Sequence, residues 1–182
     1  MELLHYGTPK HSGRYPYGSG KRPYQSDKKV FISGSSKTQI KDSGYYRKKV
    51  PKPIRKLLNK YMDTKVSFII GDAPGIDTQV QNYLKSKKYD DVTVYSTVKG
   101  TRYNANNWNE KYVDASEYEE YSNEWLAKKD IEMTKDATEG LAIVLDEGSK
   151  ATRNNVERLI QNNKDVKVYE LSKNGKRYDK WL

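Results

Sequence analysis

Three turns rich in glycine and serine each follow a short apolar run and precede a helical pattern. The runs at residues 30–32, 66–70 and 140–145 lead into turns at 33–36, 71–75 and 146–152. Backbone N–H groups at the start of a helix, together with the helix dipole, favour phosphate groups. Since the carboxyl ends of parallel strands meet at one edge of a sheet, the turns predict one crevice that binds a nucleotide. The alternative is that each glycine or aspartate only makes a tight turn and caps a helix.

Polar side chains near these turns supply the candidate contacts. Asp72 can accept a hydrogen bond from a ribose hydroxyl or hold a divalent cation, and Lys150 can place a positive charge beside a phosphate. Asp77 lies in the first turn of a predicted helix, where the dipole favours a carboxylate whether or not a ligand binds. We therefore interpret Asp77 as structural. The predicted ligand-binding residues are Ser33, Gly34, Ser35, Gly71, Asp72, Gly75, Asp130, Lys150 and Thr152.

The chain lacks the residues on which several kinds of catalytic centre depend. It has no cysteine, and its two histidines, His5 and His11, both lie near the N-terminus. It contains no Ser/His/Asp arrangement, no zinc-ligand spacing and no complete phosphate-binding loop with its lysine. The sequence thus predicts binding without catalysis, with no metal and no cofactor other than a nucleotide-derived ligand. No apolar run approaches the roughly 20 residues that span a bilayer, so we expect a cytoplasmic protein.

The positive charge is concentrated in the first third of the chain. Of the net charge of +10, residues 1–65 contribute +12 and residues 66–182 contribute −2. Lysines and arginines interleaved with tyrosines and glycines favour nucleic-acid binding through phosphate neutralisation and stacking. The alternative is a solvated basic surface. The predicted residues for binding nucleic acid or a partner are Arg14, Lys21, Arg22, Lys37, Lys41, Arg47, Lys48, Lys49, Arg55, Lys56 and Trp108.

An acidic segment follows Trp108. Between residues 110 and 124 the chain carries six acidic residues and a single lysine. The acidic side chains can pair with the basic first third of the same chain, or they can imitate nucleic-acid phosphates toward a basic partner. The sequence leaves both interpretations open, and it also leaves homo-oligomerisation open.

Apolar runs near residues 29–34, 65–70, 91–96, 140–145 and 166–171 alternate with helical patterns such as Ile54, Leu57, Leu58 and Tyr61. Strands separated by helices of this length indicate right-handed βαβ units. We predict an α/β, Rossmann-like parallel sheet of about five strands with flanking helices. The predicted organisation is an irregular N-terminal arm at 1–28, a domain at 29–172 with an insertion near 97–124, and a basic tail at 173–182.

Four segments together resemble the SLOG superfamily, a Rossmann-like nucleotide-sensing group that includes the lysine-decarboxylase-like phosphoribohydrolases and the DNA-processing protein A. The segments are residues 30–36, residues 71–77, Lys129-Asp130 with Met133, and residues 148–152. The resemblance implies a nucleotide-derived ligand at Gly34, Gly71, Asp72, Gly75 and Thr152. The chain differs from many members by having Ser36, Ile131 and Ala151, and it has no counterpart of the phosphoribohydrolase Arg and Glu. The resemblance therefore implies ligand binding rather than that hydrolysis.

The segment at residues 5–20 resembles one found at the start of proteins from phages and prophages of Gram-positive bacteria. With a SLOG-like core and a basic front, the chain is similar to type II-A anti-CRISPR proteins. This resemblance implies that it binds the Cas9 ribonucleoprotein, and double-stranded DNA or guide RNA phosphates, and blocks DNA cleavage in the bacterial host cell. The alternatives are a sensor or sponge for a nucleotide-derived ligand, a non-specific DNA-binding phage protein and, last, a nucleotide-processing enzyme.

Overall fold

The structure is a computed structural model. It describes residues 26–36, 39–40, 45–46, 49–144, 149–171 and 177–181. Most of the predicted N-terminal arm at 1–28 lies outside the described residues, and so does half of the predicted tail at 173–182. The predicted Rossmann-like domain is described over most of its length.

The described residues form nine strands and four helices. The strands are β1 (Lys29–Gly34), β2 (Gln39–Ile40), β3 (Tyr45–Tyr46), β4 (Ser67–Gly71), β5 (Val92–Ser96), β6 (Asn109–Tyr112), β7 (Glu139–Val144), β8 (Asp165–Leu171) and β9 (Arg177–Trp181). The helices are α1 (Lys52–Asp63), α2 (Ile76–Ser86), α3 (Asn123–Asp136) and α4 (Lys150–Gln161).

Seven of the strands form one sheet in the order β6-β5-β4-β1-β7-β8-β9. The strands from β6 to β8 run parallel, and β9 pairs antiparallel with β8 at the edge. The prediction of an α/β, Rossmann-like parallel sheet with flanking helices is confirmed, and all five predicted strands are present. The short strands β2 and β3 pair with each other in a separate antiparallel ribbon.

The sheet has more strands than the apolar runs predict. All four side chains of β6 are exposed, so its sequence shows neither an apolar run nor an alternating pattern. This strand belongs to the insertion at 97–124 and pairs in parallel with β5. The other additional strand, β9, falls in the predicted tail. A strand with exposed side chains such as β6 leaves little hydrophobic signal in the sequence.

Both faces of the sheet are buried, as expected for parallel strands connected by helices. In β1, Val30 and Ile32 belong to one hydrophobic core and Phe31 belongs to the other. The first core includes residues of α1 and α2, whereas the second includes residues of α3 and α4. The fold therefore has three layers, with two helices on each side of the sheet.

The helices largely show the apolar faces expected from their sequences, but Ile160 departs from the apolar face formed by Val156, Leu159 and Ile160 that the spacing predicts for α4. In α1, Ile54, Leu58 and Tyr61 are buried as the spacing predicts. In α4, Ile160 is 46% exposed, and the polar residues Thr152 and Asn155 are buried instead. The inner face of α4 is thus turned toward a polar site as well as the core. In the described part of the chain, no helix has the length and apolar character needed to cross a membrane.

The insertion is anchored to the domain by Trp108 and Gln81. The indole Nε1 of Trp108 donates a hydrogen bond to the carbonyl oxygen of Tyr89 at 3.0 Å, and the side chain is only 6% exposed. The amide nitrogen of Gln81 in α2 donates to the carbonyl oxygens of Gly71 and Tyr103. The start of the insertion therefore packs against α2 and the end of β4.

Candidate functional site

A cavity of about 610 Å³ lies at the carboxyl ends of β1 and β7. The chain passes from β1 to β4 on one side of β1, and β7 lies on its other side, so this is the point where the strand order reverses. Parallel α/β sheets bind ligands at such points because the loops diverge there and leave a crevice. The turn after β1 and the start of α4 both line the cavity, as the sequence predicts.

Six of the nine predicted ligand-binding residues line this cavity, and three do not. Gly71, Asp72 and Gly75 are absent from the described lining and lie in the turn behind it. That turn contributes its middle residues, Ala73 and Pro74, to the wall. The predicted residues that line the cavity are Ser33, Gly34, Ser35, Asp130, Lys150 and Thr152.

Asp72 is engaged within the protein. Its buried carboxylate accepts hydrogen bonds from the guanidinium of Arg102 at 2.5 and 3.0 Å, from the Arg102 backbone N–H at 3.0 Å and from the Ser96 hydroxyl at 2.7 Å. Burial by itself raises the pKa of Asp72, but the hydrogen bonds from Arg102 and Ser96 outweigh it and lower the pKa. The placement argues against the predicted ribose or cation contact. Asp72 instead holds Arg102, and with it the insertion, against the end of β4.

A hydrogen-bonded network forms one wall of the cavity. Lys129 donates to Asp130 at 2.7 Å, and the Asn155 amide donates to the other oxygen of Asp130 and to the hydroxyl of Ser33, each at 2.9 Å. Arg158 donates to the side-chain oxygen of Asn155 at 2.5 Å. The network links α3, α4 and the end of β1, so the positions of these polar groups depend on one another.

Asp77 lies beside this network and is 7% exposed. Burial raises the pKa of its carboxyl to about 7, although the nearby charge of Lys129 works in the opposite direction. A Cβ at Gly71 would overlap the Asp77 Oδ2 atom, so glycine leaves the space for this carboxyl group. Asp77 lies in the first turn of α2, as the sequence predicts. It also lines the cavity as a carboxyl group that titrates near neutral pH.

The serine-rich turn after β1 is held by both adjacent helices. The hydroxyl oxygens of Ser35 and Ser149 are 2.5 Å apart, and the carbonyl oxygen of Ser35 accepts a hydrogen bond from the Ile76 N–H at 3.1 Å. Gly75 has a φ of 97°, and a Cβ there would overlap the carbonyl oxygens of Ser35 and Ser36. Glycine is therefore required at residue 75 both by its backbone angle and by the close approach of the turn.

The charged side chains that line the cavity favour an anion. Four are cationic and two are acidic, but Arg102 is paired with Asp72 behind the lining, and one of the lining acids, Asp77, has its pKa raised by burial. The acid Asp130 is paired with Lys129. Within the described ranges, no group of three or more His, Cys, Asp or Glu residues is placed to hold a metal ion. The cationic lining residues are Arg102, Lys129, Lys150 and Arg158.

The predicted nucleic-acid-binding residues are only partly described. Lys49 and Lys56 are exposed, and Arg55 is half-buried on α1. Trp108 is buried against α2, which argues against its predicted contact with a partner and gives it a structural role. The other seven predicted residues lie outside the described part of the chain: Arg14, Lys21, Arg22, Lys37, Lys41, Arg47 and Lys48.

The acidic segment forms an exposed surface, which we call the acidic surface and define as residues 110–124. Tyr118 and Tyr121 are exposed beside its carboxylates. Glu117 is paired with Lys128 of α3 at 2.6 Å. None of the ion pairs between described residues joins this surface to α1, so the expected pairing with the chain's own basic block is not seen there.

The cavity residues that the sequence patterns miss include Arg102, Asn155 and Arg158, which carry its hydrogen-bonded contacts. Arg102 lies in the insertion, where no motif marks it, and only the fold brings it to Asp72. Asn155 follows Thr152 at helical spacing, and a buried polar pair at that spacing is the signal that could have identified it. Arg158 continues the same face three residues later.

No protein-family model matches the chain, and no curated protein matches it significantly. The fold and the cavity define a Rossmann-like α/β protein with a cavity lined by apolar, hydroxyl and cationic side chains at the point where its strand order reverses. The particular function is argued below from the geometry of that cavity and from the acidic surface.

Replacing Asp72 with Asn should destabilise the fold. Losing one partner of a buried ion pair costs about 3–5 kcal/mol, and Arg102 would keep its charge without the carboxylate. Because folding lowers the pKa of Asp72, its contribution is present above its unfolded pKa of about 4 and is lost as pH falls through the folded value. Urea unfolding should show a large deficit for Asp72→Asn at pH 7 that shrinks toward pH 3. Asp63→Asn, at an exposed position, is the matched control. An equal loss of stability in Asp63→Asn would show that the ion pair between Asp72 and Arg102 does not stabilise the fold.

Replacing Asp77 with Asn should change the pH dependence of the free energy of unfolding in the direction opposite to that expected for Asp72→Asn. The folded pKa of about 7 exceeds the unfolded value of about 4, so wild-type stability falls as pH rises between them. The Asn variant lacks this loss. Relative to the wild-type protein, Asp77→Asn should therefore gain roughly 2–4 kcal/mol in free energy of unfolding as the pH rises from 4.5 to 7.5. Parallel pH profiles for the two proteins would show that Asp77 is ionised throughout.

Proposed function

We propose that this protein binds a phosphorylated, nucleotide-derived ligand in the cavity at the ends of β1 and β7, and that it acts as a sensor or sponge for that ligand. The observation that carries the proposal is the arrangement of the lining. A serine-rich turn and the first turn of α4 meet at the point where the strand order reverses, and cationic side chains outnumber acidic ones around them.

The individual groups suit a phosphate. Lys150 lies in the first turn of α4, where the helix dipole adds to its own positive charge. Thr152 in the same turn lines the cavity together with Ser36 of the turn after β1. A hydroxyl group can donate a hydrogen bond to a phosphate oxygen. The resemblance to the SLOG superfamily supports a ligand at the same turns.

Binding is favoured over catalysis by how the polar groups are used. Asp130 accepts hydrogen bonds from Lys129 and Asn155, and the Asn155 amide also donates a hydrogen bond to the hydroxyl oxygen of Ser33. Groups held by one another in this way shape a binding wall and are poorly placed to exchange protons with a substrate. We therefore propose a protein without catalytic activity.

Calorimetric titration with adenosine 5′-monophosphate (AMP) and adenosine 5′-diphosphate (ADP) tests the proposal. Wild-type protein should bind at least one of them, and Lys150→Glu should weaken that binding at least tenfold because it places a negative charge beside the phosphate. Lys87→Glu is the matched control, since Lys87 is an exposed lysine at the end of α2, outside the described cavity lining. Equal losses in the two variants would contradict the proposal, and so would the absence of millimolar binding for every phosphorylated nucleotide tested.

We propose inhibition of Cas9 as a second candidate function, favoured by the acidic surface. Its carboxylates are exposed, and the described ion pairs do not join them to the chain's own basic helix α1. The surface is held in place by the Ser122 cap of α3 and by the pair between Glu117 and Lys128. Carboxylates in a fixed array can imitate phosphates toward the basic channel of Cas9, and the basic first third of the chain can contact DNA or guide RNA.

A DNA cleavage assay with guide-loaded Cas9 tests this second candidate. Excess wild-type protein should block cleavage, and the double variant Glu119→Lys with Glu120→Lys should lose most of that block because two exposed carboxylates change sign. Glu157→Lys, at an exposed position on α4, is the control and should inhibit like the wild type. If cleavage proceeds unchanged with excess wild-type protein, the chain is not a Cas9 inhibitor.

A further inference from the structure

The cavity extends beyond the strand ends into the space between α3 and α4. On α4 its lining runs from Lys150 in the first turn to Arg158 in the third. On α3 it runs from Asn123 to Met133. The Cα atoms of Lys150 and Arg158 are separated by about 12 Å, since eight residues rise 1.5 Å each. The site is thus an elongated groove with a cationic side chain near each end of its α4 wall.

The two cations differ in how they are presented. Lys150 is exposed at the start of α4, whereas Arg158 is half-buried and donates from one nitrogen to the side-chain oxygen of Asn155. Because Asn155 is itself held by Asp130 and Ser33, this bond fixes the guanidinium group in the wall. A guanidinium has five N–H donors in a planar fork that matches a phosphate group, so a guanidinium oriented in this way is suited to a second anionic group.

Between the two cations, the charged residues of the wall, Lys129 and Asp130, are paired with each other, and the remaining surface is uncharged. Leu126 and Ala127 of α3 face the groove together with Ala151 and Asn154 of α4. Apolar surface with a few amide groups suits a ribose and a base rather than a continuous row of phosphates. A ligand whose phosphates are adjacent would leave one of the two cations without a partner.

We propose that the ligand carries two phosphate groups separated by at least one ribose, as in a nucleoside 3′,5′-bisphosphate or a short dinucleotide. Lys150 contacts one phosphate and Arg158 contacts the other. This inference rests on the proposed ligand-binding function and specifies the chemical class of the ligand.

Calorimetry with three adenosine nucleotides tests the inference. AMP has one phosphate, ADP has two adjacent phosphates, and adenosine 3′,5′-bisphosphate has two separated phosphates. We expect the bisphosphate to bind wild-type protein at least tenfold more tightly than ADP, although both carry two phosphate groups. Arg158→Gln should remove this advantage and leave the affinity for AMP within about twofold, whereas Lys150→Gln should weaken all three.

Two further variants separate recognition from structure. Arg158→Lys keeps the charge but loses the planar fork, so it should retain part of the preference for the bisphosphate. Arg153→Gln replaces an arginine on the same helix that is paired with Glu170 and is outside the described lining, and it should leave all three affinities unchanged. Thermal unfolding of each variant confirms that it is folded at the titration temperature.

The outcomes distinguish the two proposals. If ADP binds as tightly as the bisphosphate, or if Arg158→Gln weakens all three nucleotides equally, the two-phosphate inference is wrong while ligand binding at the cavity stands. If none of the three nucleotides binds the wild-type protein, both proposals are wrong.

Discussion

One backbone contact determines the geometry of the whole site. The Ile76 N–H donates to the Ser35 carbonyl oxygen, and Gly75 allows the carbonyl oxygens of Ser35 and Ser36 to lie where a side chain would otherwise be. This contact brings the turn after β1 onto the start of α2. The Ser35 hydroxyl then meets Ser149 before α4. The Ser35 N–H also donates to the carbonyl oxygen of Ile143 in β7, so the turn is held between α2, β7 and the start of α4.

The sequence predicts the fold well because the fold is built from strong local signals. Five buried strands appear as short apolar runs, and the helices between them show an apolar face, as in Ile54, Leu58 and Tyr61. The additional strands β6 and β9 lie at the two edges of the sheet. The side chains of β6 are exposed, so neither a run nor an alternation marks it. What the sequence misses in β6 is a strand whose pairing with β5 leaves no hydrophobic pattern.

The site is predicted less completely, and for a physical reason. Turns that follow strands can be located from glycine and serine, but the pairing of charges across the fold cannot. Asp72 and Arg102 are far apart in sequence and meet only because the insertion returns to the end of β4. The sequence correctly places Asp77 at a helix start, yet its pKa is raised by burial and opposed by the charge of Lys129 from α3, neither of which the local sequence shows. Motif residues therefore indicate where a site lies, whereas three-dimensional neighbours decide what each residue does.

Helix α3 connects the two surfaces on which the functional proposals depend. Lys128 and Lys129 are consecutive, yet the first pairs with Glu117 of the acidic surface and the second pairs with Asp130 at the cavity. The same helix begins at Ser122, which caps it at the end of the acidic surface. A displacement of α3 by a bound ligand would therefore also displace the carboxylates that the acidic surface presents. The cavity and the acidic surface share α3, so the two functional proposals depend on the position of the same helix.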